Sequence, residues 1–217
     1  MQTGVKRLKG ERSYNGERAL VYDVSYPYII GVPAGEIISA SCKKDAVLAI
    51  KRGGAHVLRL AARQKKEMGK AFHEFSVTSE TQIMFVGKSV FSFFTDIYYD
   101  LGFWGKKCVR RSQTRNCENG KSMSVKDLFR GGADHTGLII NAVLGQMSAV
   151  EEETGMPLYK GWREEIEKSV FKDRFYLADD GIALYVPQGS ITADIWGVPT
   201  FLINYKELNG SIKRILL

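Results

Sequence analysis

The sequence predicts an α+β fold with a mainly antiparallel sheet and a long helix packed on one face. Apolar residues recur at spacings of three, four or seven over residues 36–72, which indicates an amphipathic helix. Apolar and polar residues alternate over 75–85 and again over 91–101, as in strands with one buried face. Helices and strands fall in separate runs, and this favours α+β over a parallel doubly wound sheet.

Length and composition are those of an ordinary globular protein. The chain has 217 residues, of which 44% are hydrophobic and 25% are charged. We expect a single domain, either undivided or built from two closely packed subdomains at about 1–130 and 131–217. No apolar run reaches the roughly 18 residues of a membrane span. The first 18 residues are basic and contain no apolar stretch, so we expect no signal peptide in them.

The amino-terminal half is predicted to contain one long helix and four strands. Residues 19–30 are aromatic and β-branched, which predicts a strand, and no element is predicted before them. The helix at 36–72 follows. The other strands form an antiparallel meander, predicted at residues 75–85, 91–101 and 106–117. An Asn-Gly pair at 119–120 predicts a tight turn after the last of them.

Three helices are predicted in the carboxy-terminal half. Ser124 precedes Asp127 by three residues, which predicts a capped helical turn. Asp134 is a suitable cap for a helix that extends to about residue 153. Pro157 suits the first turn of a further helix at about 158–170.

Three more strands complete the predicted fold. Two of them flank the Asp-Gly pair at 180–181, which is typical of a hairpin. An irregular link follows, and the last strand is predicted at 199–208.

The charge is basic and unevenly distributed. The net charge is +7, with five Lys or Arg and no acid between residues 106 and 115, and nine acids against five bases between 151 and 180. Such asymmetry indicates either a surface for a charged partner or ordinary solvated faces. The three cysteines, Cys42, Cys108 and Cys117, are an odd number, and we expect all three to be reduced thiols.

No catalytic motif is found. His56, His73 and His135 lie in different predicted elements, and none has a ligand partner at metal-binding spacing. The nucleophile elbow, the zinc-protease motif and the phosphate and dinucleotide loops are missing from the sequence. We therefore expect no enzymatic activity, no metal and no cofactor.

The predicted hairpin at 103–115 is the first candidate binding surface. It combines two aromatic residues with four bases, namely Phe103, Trp104, Lys106, Lys107, Arg110 and Arg111. Aromatic rings beside cations can stack on sugars or bases while the cations hold an anion. The alternative is that the rings pack over the sheet. Trp196 in the irregular link is a second candidate with the same two interpretations.

Several short motifs occur in a fixed order along most of the chain. They are Tyr22 to Pro27 (YDVSYP), Gly120-Lys121, Asp127-Leu128-Phe129, Phe175-Tyr176-Leu177, Asp180-Gly181, Tyr185-Val186-Pro187, Gly197-Val198-Pro199 and Tyr205-Lys206-Glu207-Leu208. This ordered set resembles a bacterial domain of unknown function. That domain forms the ectodomain of the lysozyme-responsive anti-sigma factor and accompanies peptidoglycan deacetylases.

The resemblance implies a non-enzymatic binding or sensor module located outside the membrane. Its partner would be a protein or a cell-wall ligand. Lysozyme is disfavoured by charge, because lysozymes are commonly basic and the basic hairpin would oppose docking, so that only the acidic region 151–180 has the suitable sign. The alternative is that the hairpin binds an anionic polymer such as a cell-wall glycan or a nucleic acid. The hairpin lacks the Gly-Gly-Ala-His motif that is common in the family.

Overall fold

The computed structural model describes residues 1–69, 74–102, 105–154, 157–208 and 210–213, and it has the predicted α+β fold. In chain order the elements are β1 (Gln2–Tyr14), β2 (Glu17–Ile30), α1 (Gly35–Met68), β3 (Phe75–Val86), β4 (Val90–Asp100), β5 (Lys106–Asn116), α2 (Val125–Leu128), α3 (His135–Thr154), α4 (Trp162–Phe171), β6 (Phe175–Ala178), β7 (Gly181–Tyr185), a 3-10 helix (Asp194–Trp196) and β8 (Thr200–Asn204).

The strands form two sheets. One has the order β1-β2-β3-β4-β5 and the other the order β6-β7-β8. Pairing is antiparallel between β1 and β2 and throughout the second sheet, whereas β2 and β3 are parallel because α1 connects them. The chain divides into two compact units, residues 1–82 with 95–109 and residues 83–94 with 110–217.

The first strand, β1, was missed by the sequence prediction. It pairs with β2 from Gln2 opposite Ile30 onward, although most of its side chains are exposed. A strand exposed on both faces lacks the apolar alternation that identifies most strands. The position of β1 in the sheet is determined by its pairing with β2 instead. Tyr28 covers Gly4, where a Cβ atom would lie 2.7 Å from the tyrosine oxygen, and Asp23 pairs with Arg7 at 2.6 Å.

The long helix α1 packs on β2 through a stripe of small and aliphatic residues. Ile38, Val57 and Ala61 on this stripe are buried. Gly54 brings the helix close to the strand, since a Cβ atom there would lie 3.3 Å from Leu20. The helix ends at Met68, and the remainder of the predicted helix, residues 70–72, lies outside the described residues together with His73.

The second unit is built around the sheet β6-β7-β8. Phe175, Leu177, Ile182 and Leu184 point to one face, where they pack with apolar residues of α3 and α4 such as Ile139, Val143, Ile166 and Val170. The alternate residues Tyr176, Ala183 and Tyr185 point to the other face and pack with Phe94. Strand β7 is therefore buried on both faces.

Two of the predicted helix starts are confirmed and one is wrong. Ser124 and Asp127 form the capping box of α2, and the Asp134 carboxylate accepts a hydrogen bond from the Gly137 amide at 2.9 Å. Helix α4 begins at Trp162 instead of near Pro157. The Pro157 carbonyl accepts a hydrogen bond from the Thr192 hydroxyl at 3.0 Å, and this holds the chain in a loop until the next helix begins.

The ends of two other predicted elements also differ from the structure. Strand β8 covers Thr200–Asn204 only, because the chain then turns, and the Glu207 amide donates back to the Asn204 carbonyl at 3.0 Å. The turn predicted by the Asn-Gly pair is present, and it is closed by hydrogen bonds from the Asn116 amide to the Lys121 carbonyl at 2.9 Å and from the Gly120 amide to the Asn116 carbonyl at 2.8 Å. The three cysteines are thiols, as predicted.

A buried hydroxyl completes the hydrogen bonding of the second unit. Ser92 Oγ accepts a hydrogen bond from the Leu177 amide at 2.9 Å and lies 2.8 Å from the hydroxyl of Thr114. All three residues are buried. The hydroxyl thus supplies a partner for a β6 amide that has no access to water.

Replacing Ser92 with Ala should lower the free energy of unfolding by about 1–3 kcal/mol, because the Leu177 amide would be left buried without its partner. Urea unfolding followed by circular dichroism measures the change. Ser13→Ala on exposed β1 is the matched control and should stay within about 0.5 kcal/mol of the parent. Equal effects of the two substitutions would contradict this account of Ser92.

Candidate binding surfaces

The predicted basic hairpin is only partly within the described residues. Phe103 and Trp104 lie outside them. Lys106 and Lys107 are exposed at the start of β5. The Lys106 ammonium is 3.1 Å from a carboxylate oxygen of Asp100, so part of its charge is compensated locally. Lys107 is a solvated cation, available to an external anion.

Arg110 and Arg111 have different environments, although they are adjacent. The Arg110 guanidinium lies over the Phe94 ring at 4.1 Å and over the Tyr185 ring at 5.9 Å. It also donates a hydrogen bond to the Thr200 hydroxyl at 2.9 Å. Arg110 is therefore part of the packing of the second unit, whereas Arg111 on the opposite side of the strand is exposed.

The link between β7 and β8, residues 187–199, is a defined loop. Its middle is anchored by Ile191 and Thr192, which are both fully buried. Gln188 donates a side-chain hydrogen bond to the Asp194 carbonyl at 2.8 Å. Gly189 has a φ of +71°, which favours glycine, and a Cβ atom there would collide with the Asp194 carboxylate unless that side chain moved. These contacts specify one loop conformation.

The same loop displays two large apolar side chains. Ile195 is 90% exposed and Trp196 is 49% exposed, both in the 3-10 helix Asp194–Trp196. Trp196 was predicted from the sequence as a candidate, but Ile195 was not. A single isoleucine in an irregular segment has no periodicity that would indicate its exposure.

A half-open groove of about 400 Å³, lined by both polar and apolar side chains, lies elsewhere in the second unit. Its lining includes Ser112, Thr114, Ser122, Asp127, Lys172 and Asp173. None of these residues was predicted from the sequence as part of a site. They come from four separate segments, and no motif links those segments.

Hydrogen bonds to the protein hold two of the groove's side chains in place. The Ser112 hydroxyl donates to the Tyr185 hydroxyl at 3.3 Å. Burial raises the pKa of Tyr185, so this hydroxyl stays protonated well into the alkaline range. The Asp173 carboxylate accepts a hydrogen bond from the Val125 amide at 2.8 Å. The groove is thus organised before any ligand arrives.

Asp127 is the most strongly held carboxylate of the groove. It accepts hydrogen bonds from the Ser124 amide and from the Ser124 hydroxyl, each at 2.8 Å. The amide, followed by the hydroxyl, lowers the pKa of Asp127 below its usual value. The carboxylate therefore remains ionised at any pH near neutrality.

The residues that the structure describes hold neither a cluster of metal ligands nor a helix that could span a membrane. Within the described ranges, no three His, Cys, Asp or Glu side chains are grouped as ligands for a metal ion. No helix in the part of the chain that the structure describes is both long and apolar enough to cross a membrane.

The chain thus has an α+β fold with two surface features, a loop that exposes apolar side chains and a groove of mixed polar and apolar lining. Residues 126–206 match the model of a family described as a protein of unknown function, DUF3298. The match includes the Asp127-Leu128-Phe129 motif and most of the motifs after residue 175. A comparison with curated proteins finds no match.

Two crystal structures are similar to this chain over nearly their whole length. A member of the DUF3298 family from Bacteroides fragilis has a TM-score of 0.62 and 14% identity, with 98% of this chain and 93% of that chain covered. A DUF3298 family protein from Pseudomonas aeruginosa has a TM-score of 0.58 and 15% identity, with 100% and 97% covered. At this identity the likeness shows a shared fold.

Arg110→Ala should lower the free energy of unfolding by about 1 kcal/mol, through loss of the ring contact and of the hydrogen bond to Thr200. Arg111→Ala should change it by less than about 0.5 kcal/mol, since that side chain is exposed. Chemical denaturation of both variants measures the difference. A larger effect at Arg111 than at Arg110 would show that the two roles are assigned the wrong way round.

Asp127→Ala should lower stability by about 0.5–2 kcal/mol at neutral pH, because the cap of α2 is lost. A carboxylate with a lowered pKa stabilises the fold fully above its unfolded pKa, about 3.9, and this contribution disappears as the pH falls through the folded pKa. The difference in unfolding free energy between the parent and the variant should therefore become smaller in acid. Urea unfolding at a series of pH values tests this. Asp179→Ala, in the exposed turn before β7, is the control, and a gap that widened in acid would contradict the assignment.

Proposed function

We propose that this chain is a non-catalytic binding module of the cell envelope that recognises a protein partner through the loop at 187–199. The observation that carries the proposal is the contrast within this loop. Ile191 and Thr192 are fully buried and the backbone is held by hydrogen bonds, yet Ile195 and Trp196 extend into solvent. A rigid loop that exposes apolar side chains is typical of an interaction site.

Trp196 and Ile195 have the properties of binding anchors. Tryptophan is enriched among the residues that dominate binding energies, because its large ring is desolvated on contact. A loop that is already ordered loses little conformational entropy when it binds. Both features favour recognition of a complementary apolar pocket on a partner protein.

The charge of the loop is compatible with a basic partner. Residues 187–199 contain one acid, Asp194, and no Lys or Arg. The objection that a basic chain repels lysozyme applies to the basic part of β5, and it does not apply to this loop. Lysozyme, the partner implied by the resemblance to the anti-sigma ectodomain, is therefore a suitable first ligand to test.

The absence of catalysis is part of the proposal. Ser79 and Ser92 are buried hydroxyls of the kind that could serve as nucleophiles. Ser92 bonds the Leu177 amide, and Ser79 bonds the Ser25 amide at 2.8 Å, so each has a structural use. These contacts, together with the missing sequence motifs, support a role without catalysis, and a location outside the membrane is what the resemblance implies.

The experiment measures binding of the purified protein to immobilised lysozyme, and also to proteins from secreted and cell-wall fractions. Trp196→Ala and Ile195→Asp should each weaken binding at least about tenfold, which corresponds to about 1.4 kcal/mol. Their melting temperatures should stay close to that of the parent, because neither residue is in the core. Phe171→Ala is the matched control, since Phe171 is 72% exposed but lies at the end of α4.

The second candidate, binding of an anionic polymer, makes a different prediction in the same assay. It is favoured by the exposure of Lys107 and Arg111 on β5. Binding of heparin that falls steeply with salt, and that is lost in Arg111→Glu but retained in Trp196→Ala, would favour this candidate. No binding by the parent protein in any of these fractions would contradict the protein-partner proposal.

A further inference from the structure

We propose that the groove lined by Ser112, Ser122, Asp127, Lys172 and Asp173 is a binding site for a neutral saccharide. The groove is distinct from the loop at 187–199, so this inference goes beyond the proposed function and does not depend on it. Its volume of about 400 Å³ is in the usual range for small-molecule sites, roughly 300–1,000 Å³.

The groove is lined by hydroxyl, ammonium and carboxylate groups together with the apolar side chains of Met123 and Phe175. Ser112 and Ser122 are hydroxyls that both donate and accept hydrogen bonds, and Lys172 is an exposed donor. Asp127 and Asp173 are strong acceptors. A sugar ring presents neighbouring hydroxyls that can donate to a carboxylate and accept from an ammonium, so this set matches a polyhydroxylated ligand.

The charge of the residues that line the groove favours a neutral ligand. Two carboxylates and one ammonium line the groove, so its net charge is −1 at neutral pH, although the whole chain carries +7. A polyanion would meet repulsion from Asp127 and Asp173. A neutral ligand avoids that repulsion and still gains charge-assisted hydrogen bonds, which are about twice as strong as neutral ones.

Contacts with the protein leave one carboxylate oxygen of Asp127 and one of Asp173 available to a ligand. The hydrogen bond from the Val125 amide engages Oδ1 of Asp173, and the bonds from Ser124 engage Oδ2 of Asp127. Each carboxylate has a second oxygen, which can accept a ligand hydroxyl without breaking these bonds. Binding then requires little reorganisation of the site.

Asp173 offers a variant that removes the charge and keeps the fold. Its φ is +50°, a conformation that Asn adopts readily. The amide oxygen of an asparagine can still accept the hydrogen bond from Val125. Asp173→Asn therefore isolates the contribution of the carboxylate charge. Ser122→Trp is a second variant that fills the exposed side of the groove.

The experiment is a titration of the isotopically labelled protein with a neutral tetrasaccharide of N-acetylglucosamine, followed by amide chemical shifts. We expect saturable shifts at residues 112–114, 122–127 and 172–175, with a dissociation constant in the millimolar range or tighter. Asp173→Asn should weaken binding about fivefold or more, and Ser122→Trp should abolish it. Asp180→Asn makes the same charge change outside the groove and should leave the affinity unchanged.

Three results would overturn the proposal. The first is an absence of saturable shifts in the groove. The second is equal binding by the parent, Asp173→Asn and Ser122→Trp. The third is tighter binding in the groove of a sulfated tetrasaccharide than of the neutral one, because the groove would then select anions. None of these results affects the loop at 187–199, whose variants are tested separately.

Discussion

The burial of β6 and β7 on both faces is the constraint on which the second unit depends. Such strands need apolar side chains in both directions and a partner for every amide. Ile182 and Leu184 meet the helices, Ala183 and Tyr185 meet the cluster around Phe94, and neighbouring strands satisfy the backbone. The Ser92 hydroxyl supplies a partner that no strand provides. The two surfaces proposed for binding lie at strand ends, where the chain leaves this core: the loop follows β7, and Lys172 and Asp173 precede β6.

The fold could be predicted wherever burial leaves a pattern in the sequence. The long helix and the strands after it have regular apolar spacing, so their positions follow from hydrophobic patterning. Strand β1 has no such pattern because most of its side chains are exposed, and its pairing with β2 depends on backbone hydrogen bonds and on polar contacts such as that of Arg7 with Asp23, which leave no apolar periodicity. The start of α4 was misplaced for a related reason. Pro157 is compatible with a helix, but a distant residue, Thr192, holds it in a loop.

The candidate sites were predictable only as residue types. The sequence indicated a basic strand and an unusual Trp196, but it could not separate Arg110, held against Phe94, from the exposed Arg111. That distinction depends on residues that are distant along the chain. The groove was not predictable, because Ser112, Ser122, Asp127 and Asp173 come together only through the tertiary fold.

The fit of Gly189 against the Asp194 carboxylate has a consequence for how the loop at 187–199 could change its surface. The contact sets the shape of the loop through a glycine and an acid, while the residues at its tip, Ile195 and Trp196, contribute little to that shape. Gly189 and Asp194 can therefore be retained in evolution while Ile195 and Trp196 are replaced. A change of specificity would then require substitutions only at the tip, without new loop geometry and without loss of stability.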